Sequence, residues 1–220
     1  MKIVYIHGHM FHVRTWSGVC ARLRAENIEL HFFPQANSAQ AALDFLRDQS
    51  ADLFIGQLFH DLPLHDELLA GAQQAGGRIG LGVDIPPGFS SFTPEQTARF
   101  ARYLSHISAH NFYNAIRFLI ACTGKDLAYA EPEPVRTLGV HHPEAEQLFD
   151  GTAAYLQWRR ERNLSLPNRP LVGLLCYYGQ IAEGNCAEID ALIRCLEANG
   201  FVPLCVACEG MADAALPLDR

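Results

Sequence analysis

Leu171-Val172-Gly173-Leu174-Leu175-Cys176-Tyr177 is followed by Gly184-Asn185, by Ile189-Asp190-Ala191-Leu192-Ile193-Arg194-Cys195-Leu196, and then by Phe201-Val202-Pro203-Leu204-Cys205-Val206-Ala207. The first and last runs are short, continuous and apolar, as strands buried on both faces are. Between them Ile189, Leu192, Ile193 and Leu196 form one apolar helical stripe, which Asn199-Gly200 ends. Strand, helix and strand at this spacing are a βαβ unit, and a βαβ unit implies a parallel sheet. Asn185 is the expected N-cap, with Glu188 closing a capping box. One such unit cannot cover both faces of its own sheet, so residues 170–220 are read as the start of a second, truncated α/β domain.

The N-terminal third repeats the pattern. Apolar runs at 2–6, 28–33, 52–56 and 78–83 alternate with helical stripes. One stripe is Trp16, Val19, Cys20 and Leu23; another is Ala39, Ala42, Leu43 and Leu46 behind Ser38; a third helix spans about 64–75 after Pro63. The expected architecture is a parallel-sheet, flavodoxin/Rossmann-like unit. After Asp84 the alternation stops. Thr93-Pro94-Glu95-Gln96 reads as a capping box with proline at N1, opening a helix to about Ser105. Ser108 caps the next, which stops at Gly124. A polar connector, a short strand near 138–140, a helix over 144–162 and a second connector follow. The implied division is an N-terminal α/β domain with a trailing helix pair over 1–124, a connector with one helix over 125–169, and the second α/β start over 170–220.

The chain has 220 residues, 17 Lys and Arg against 24 Asp and Glu, and a formal charge of -7. A chain of this length buries roughly 70% of its unfolded surface without disulfides or metals. Its acidic balance offers no basic field for nucleic acid or anionic lipid. Lys2 and Lys125 are the only lysines, which leaves little for amine chemistry. The apolar run 3–6 meets His7-Gly8-His9 at once, unlike a secretory signal, and no apolar run approaches the roughly 18–20 residues that span a bilayer. Seven cysteines without an export signal read as reduced thiols in the cytoplasm.

Several segments carry candidate chemistry. His7, His9 and His12 follow the first strand, at the edge where open parallel sheets bind ligands, and neutral imidazoles suit zinc or cobalt. The competing reading is a polar loop. His7-Gly8 also looks like a hydrolase oxyanion loop, but no G-x-S-x-G elbow accompanies it. Cys205-Val206-Ala207-Cys208 lies on a strand rather than at a helix N-terminus, which reads as structural rather than redox-active. Residues 178–184 form a βα loop whose backbone donors, with the helix after it, suit a carboxylate or phosphate. His141-His142-Pro143 opens the expected 144–162 helix, and His60 and His65 flank the third one.

The second half resembles a known family. Residues 170–177, Gly184-Asn185, Ile189–Arg194 and Leu196–Gly200 are similar to the P-x-V-G-L-L-x-Y, G-N and I-D-A-L-I-R-x-L-E-x-x-G stretch of cobaltochelatase large subunits of the CobN type. The magnesium chelatase H subunit has a looser version. His142-Pro143, Phe149 and Tyr155-Leu156-Gln157-Trp158 resemble that family's H-P, F and Y-L-x-W segment. Tyr103-Leu104, Asn111, Asn114 and Arg117-Phe118-Leu119 resemble its helix pair. The likeness covers about 95–208. The sequence departs from it in the loop 178–183, which lacks the family's arginine and histidine, and at Ser105-His106-Ile107-Ser108, where the family has a glycine-rich turn.

This resemblance implies the N-terminal part of a large subunit that holds a tetrapyrrole while a divalent metal is inserted, cobalt rather than magnesium, in cobalamin-type biosynthesis. It implies ATP hydrolysis by AAA+ partner subunits, since this chain has no G-x-x-x-x-G-K-[ST], and a chain inactive as a chelatase by itself. His142, Tyr178, Gln180 and Asn185 are the tetrapyrrole-contact candidates, and the His7, His9 and His12 loop is the metal candidate. The alternatives are a non-catalytic tetrapyrrole- or metal-binding module and a scaffold fragment without a ligand.

Overall fold

The structure, a computed structural model, describes residues 1–7, 12–34, 38–57, 64–74, 78–80, 90–164 and 169–209. The chain divides into two compact units, Met1–Pro134 and Val135–Arg220.

The first unit is a four-stranded parallel sheet in the order β2-β1-β3-β4. Its strands are β1 (Lys2–His7), β2 (Glu29–Phe33), β3 (Leu53–Gln57) and β4 (Arg78–Gly80). This is the flavodoxin-type order, with the first strand inside. Ile3, Val4, Tyr5 and Ile6 are accordingly wholly buried. Alternation along β1 sends Val4 and Ile6 to one face. There they pack with Ala42, Leu43 and Leu46 of α2 (Ala39–Asp48) and Leu68, Leu69 and Ala72 of α3 (His65–Gln74). Tyr5 points the other way, edge-on to Trp16 of α1 (Val13–Arg24) at 4.6 Å. Trp16 in turn stacks on Phe112 of α5 (Ala109–Cys122), also at 4.6 Å. Helices therefore lie on both faces, as a parallel sheet requires.

Before α5 comes α4 (Pro94–Leu104). Thr93 caps it in the expected reciprocal box with Gln96, and Ser108 Oγ accepts the Asn111 N–H at the start of α5. Ser38 sits at the N-cap position of α2 without a side-chain bond. α5 is apolar nearly all round, yet Asn111 and Asn114 are buried in it. Asn111 Oδ1 accepts the Glu133 N–H at 2.9 Å, and its Nδ2 donates to the Glu133 carbonyl at 2.8 Å. Asn114 Oδ1 accepts the Ala130 N–H at 2.9 Å. Tyr103 Oη donates to the Ala130 carbonyl and Arg117 Nε to the Ala128 carbonyl, each at 2.6 Å. These side chains take the place of a neighbouring strand. They strap the expected connector, residues 125–134, onto the helix pair, so this stretch belongs to the first unit.

The second unit has a three-stranded sheet, β5-β7-β6. β6 (Leu171–Tyr177) and β7 (Val202–Cys208) are parallel, joined through α8 (Ala187–Ala198), as the βαβ reading requires. β5 (Gly139–His141) adds antiparallel to β7. The expected helix over 144–162 is shorter: α6 begins at Thr152 and ends at Glu161. Phe149 and Val140 exchange both backbone hydrogen bonds at 3.0 Å, which holds residues 142–151 in turns against β5. Gly139 permits this approach, because a Cβ there would lie 2.6 Å from the Phe149 carbonyl oxygen. α6 then buries Tyr155 with Phe149 and Trp158 over Val140, Leu204 and Val206. α8 covers the opposite face, over Cys176, Cys205 and Ala207.

Candidate functional site

The carboxyl edge of β6 holds three of the four tetrapyrrole-contact candidates, Tyr178, Gln180 and Asn185. β6 runs straight into a five-residue helix, α7 (Tyr178–Ala182). Gly184, at φ 65°, ends it in a Schellman motif: its N–H donates to Ile181 and the Asn185 N–H donates to the Gln180 carbonyl at 2.9 Å. The expected capping box at Asn185 and Glu188 does not form. Asn185 is spent closing α7, α8 starts later, and its N-cap is Cys186, whose thiol meets the Gln180 carbonyl at 3.5 Å and makes no capping bond to α8. Glu188 and Asp190 occupy the first turn of α8, and Asp190 binds His141 Nε2 at 2.8 Å. The helix dipole is thus complemented by the chain's own carboxylates, which removes the basis for an anion site there.

Around this turn Tyr178 is buried, Gln180 and Glu183 are half-buried, and Asn185 is exposed. The Tyr177 ring lies against the Gly179 Cα. Burial first, and then the Glu209 carboxylate, push both tyrosine phenols up, so each keeps its proton. Phenol donors, a carboxamide and carboxylates therefore share this edge. Such groups can accept and donate protons or hydrogen-bond a polar macrocycle rim.

His142 sits elsewhere, in the core of the unit and 1% exposed. Its Nδ1 accepts the Glu144 N–H at 3.2 Å, so Nε2 carries the proton and faces Glu197 Oε1 at 3.3 Å. Arg159, also buried, binds Glu197, Tyr155 Oη and the Leu164 carbonyl. Burial is the main reason that the His142 imidazole titrates below its ordinary value, with Arg159 adding to it and Glu197 opposing. The Arg159–Glu197 pair escaped the sequence reading. Its one signal is Arg159 four residues after Tyr155, on the buried stripe of α6.

Of the histidine loop, His9 lies outside the described residues, as do His60 and Pro63. His7 ends β1, mostly buried, and His12 begins α1 at φ 63°, its ring edge-on to Phe112 at 5.8 Å. Among the described residues no group of three or more His, Cys, Asp or Glu is placed to hold a metal ion. Cys205 and Cys208 are both buried in β7, and Cys205 Sγ lies 3.6 Å from Cys176 Sγ. A groove of about 490 Å³ between α1 and β2, lined by Cys20, Arg24, His31 and Phe33, includes none of the candidates. No helix among the described residues is long and apolar enough to cross a membrane.

The magnesium-chelatase subunit ChlH of rice is 34% identical over 111 residues, covering 48% of this chain and 8% of that subunit. An uncharacterised protein of Methanocaldococcus jannaschii is 25% identical over 109 residues, 49% of this chain and 9% of its own length. The catalytic subunit of cobaltochelatase from Mycobacterium tuberculosis superposes with a TM-score of 0.49 at 18% identity, over 98% of this chain and 17% of that one. The chain thus spans under a tenth of the curated relatives it matches. The family model described as CobN/Magnesium Chelatase matches residues 101–219, more than half of the chain and all of its second unit up to the last residue, and the chain belongs to that family.

Proposed function

We propose that this chain is a tetrapyrrole-binding part of a chelatase large subunit. The family match over residues 101–219 carries the reading. The macrocycle is held at the carboxyl edge of β6, where Tyr178 forms the floor and Gln180 and Asn185 make polar contacts to its rim. His142 acts behind them through its bond to Glu197, fixing α8 beneath the turn. The divalent metal is the substrate, cobalt rather than magnesium, and its first contact is the His7, His9 and His12 loop. Energy for insertion comes from AAA+ partner subunits that hydrolyse ATP, in a cytoplasmic, cobalamin-type pathway. The chain alone binds without catalysing.

Titration of the purified chain with a cobalt-free corrinoid, a porphyrin and Co²⁺ tests this. Saturable binding of a tetrapyrrole is expected, with no metallated product after ATP and Co²⁺ are added. Steady ATP-dependent insertion by the chain alone, or no tetrapyrrole binding, overturns the reading.

A further inference from the structure

β6 opens its βαβ unit, yet among the described residues it has a neighbour on one side only. Its counterpart in the first unit, β1, lies between β2 and β3. Edge strands usually carry charges, proline or a bulge that discourage pairing. Leu171–Tyr177 has no charge and no proline. The Val202 N–H donates to the Pro170 carbonyl. Parallel-ladder alternation then aims the amides of Val172, Leu174 and Cys176 at β7, and those of Leu171, Gly173 and Leu175 at the open edge. The side chains of these last residues lie on the face that α6 covers. There Leu204 and Val206 of β7 are buried, but Leu171 and Leu175 are 51% and 52% exposed.

The first unit shows how such a strand is completed. Its α1 packs on the Tyr5 face, while α2, which leads to β3 on the far side of β1, packs on the Val4 and Ile6 face. Right-handed crossovers require this switch of face when the strand order reverses. In the second unit α8 already occupies one face. A strand added beside β6, reached from β7, would therefore bring its helix over Leu171 and Leu175. The matched stretch is 8% of rice ChlH and 9% of the Methanocaldococcus jannaschii protein, so these relatives hold ample further sequence from which such a strand and helix can come.

We propose that the open edge of β6 and the Leu171 and Leu175 face take up a parallel strand and its crossover helix from chelatase large-subunit sequence outside these 220 residues. A second copy of this chain fits less well. Two-fold pairing of identical edges is antiparallel and brings no helix over the exposed leucines. The inference rests on family membership and is independent of tetrapyrrole binding.

Amide hydrogen exchange of the full chain tests it. The probe is the separately purified part of rice ChlH that follows the stretch matching this chain. Excess probe is expected to slow exchange at residues 171–175 at least tenfold. Leu175→Asp should abolish the slowing with the circular dichroism spectrum unchanged. Unaltered exchange at 171–175 with excess probe overturns the proposal. So does protection that grows with the concentration of the chain alone, which would assign the edge to a second copy.

Discussion

Asn111 grips Glu133 by both backbone groups, accepting its N–H at 2.9 Å and donating to its carbonyl at 2.8 Å. The same carboxamide donates to the His106 carbonyl, so one buried side chain joins the α4–α5 turn to an extended strap. Asn111→Ala leaves these backbone groups unsatisfied, each at about 1–3 kcal/mol when buried. The expected loss is about 2–3 kcal/mol by urea unfolding, with faster amide exchange at residues 128–133. Asn111→Asp should also weaken the strap, because a carboxylate cannot donate to the two carbonyls.

Gly139→Ala is expected to destabilise the chain by about 1–3 kcal/mol, the usual cost of overpacking. The new methyl would meet the Phe149 carbonyl oxygen at 2.6 Å and Leu148 Cβ at 2.9 Å. Thermal unfolding measures the loss, and near-ultraviolet dichroism should report disturbed packing of the Phe149, Tyr155 and Trp158 rings. An unchanged midpoint would mean that the Val140–Phe149 bridge does not hold residues 142–151.

The buried His142 makes acid destabilising. Its folded-state pKa is lowered, so below about pH 6.5, the ordinary histidine value, the unfolded chain binds a proton that the folded chain resists. Stability is full above that pH and falls as pH drops towards the folded value. His142→Gln keeps a hydrogen-bonding side chain without the titration. Its stability should vary less between pH 6.5 and 5 in parallel urea titrations. A slope equal to that of the parent would place the proton uptake on another group.

Gly184 and Asn185 should separate cleanly. Gly184 ends α7 with φ 65°, so Gly184→Ala should cost about 1–2 kcal/mol. Asn185 is exposed and acts through its main chain, so Asn185→Ala should change stability by no more than about 0.5 kcal/mol. A cost near 1 kcal/mol for Asn185→Ala would restore its role as the cap of α8.

The parts legible in the sequence were those with a period or a cap. Trp16, Val19 and Leu23, Ala42, Leu43 and Leu46, and the Thr93–Gln96 box all stand where spacing puts them. β5 was legible only as a short run, because its antiparallel partner β7 lies more than 60 residues away and three residues carry no period. Several residues behind the family likeness have structural partners. Asn111, Asn114 and Arg117 hold the strap, and His142, Phe149, Tyr155 and Trp158 build the second core. Side chains that bond distant backbone leave no local pattern. The βαβ rule puts Tyr178, Gln180 and Asn185 at a strand's carboxyl edge, and that rule cannot tell a loop from the short α7 that forms there.

Binding of a cobalt-free corrinoid by the intact chain and by a Gln180→Ala, Asn185→Ala double variant, followed by absorbance, decides whether the carboxyl edge of β6 holds the macrocycle. Neither residue is in a core, so both proteins should fold alike by circular dichroism. Saturable binding by the parent and at least tenfold weaker binding by the variant are expected. Equal affinity in the two would remove the macrocycle from the carboxyl edge of β6, and absence of binding in both would remove it from this chain.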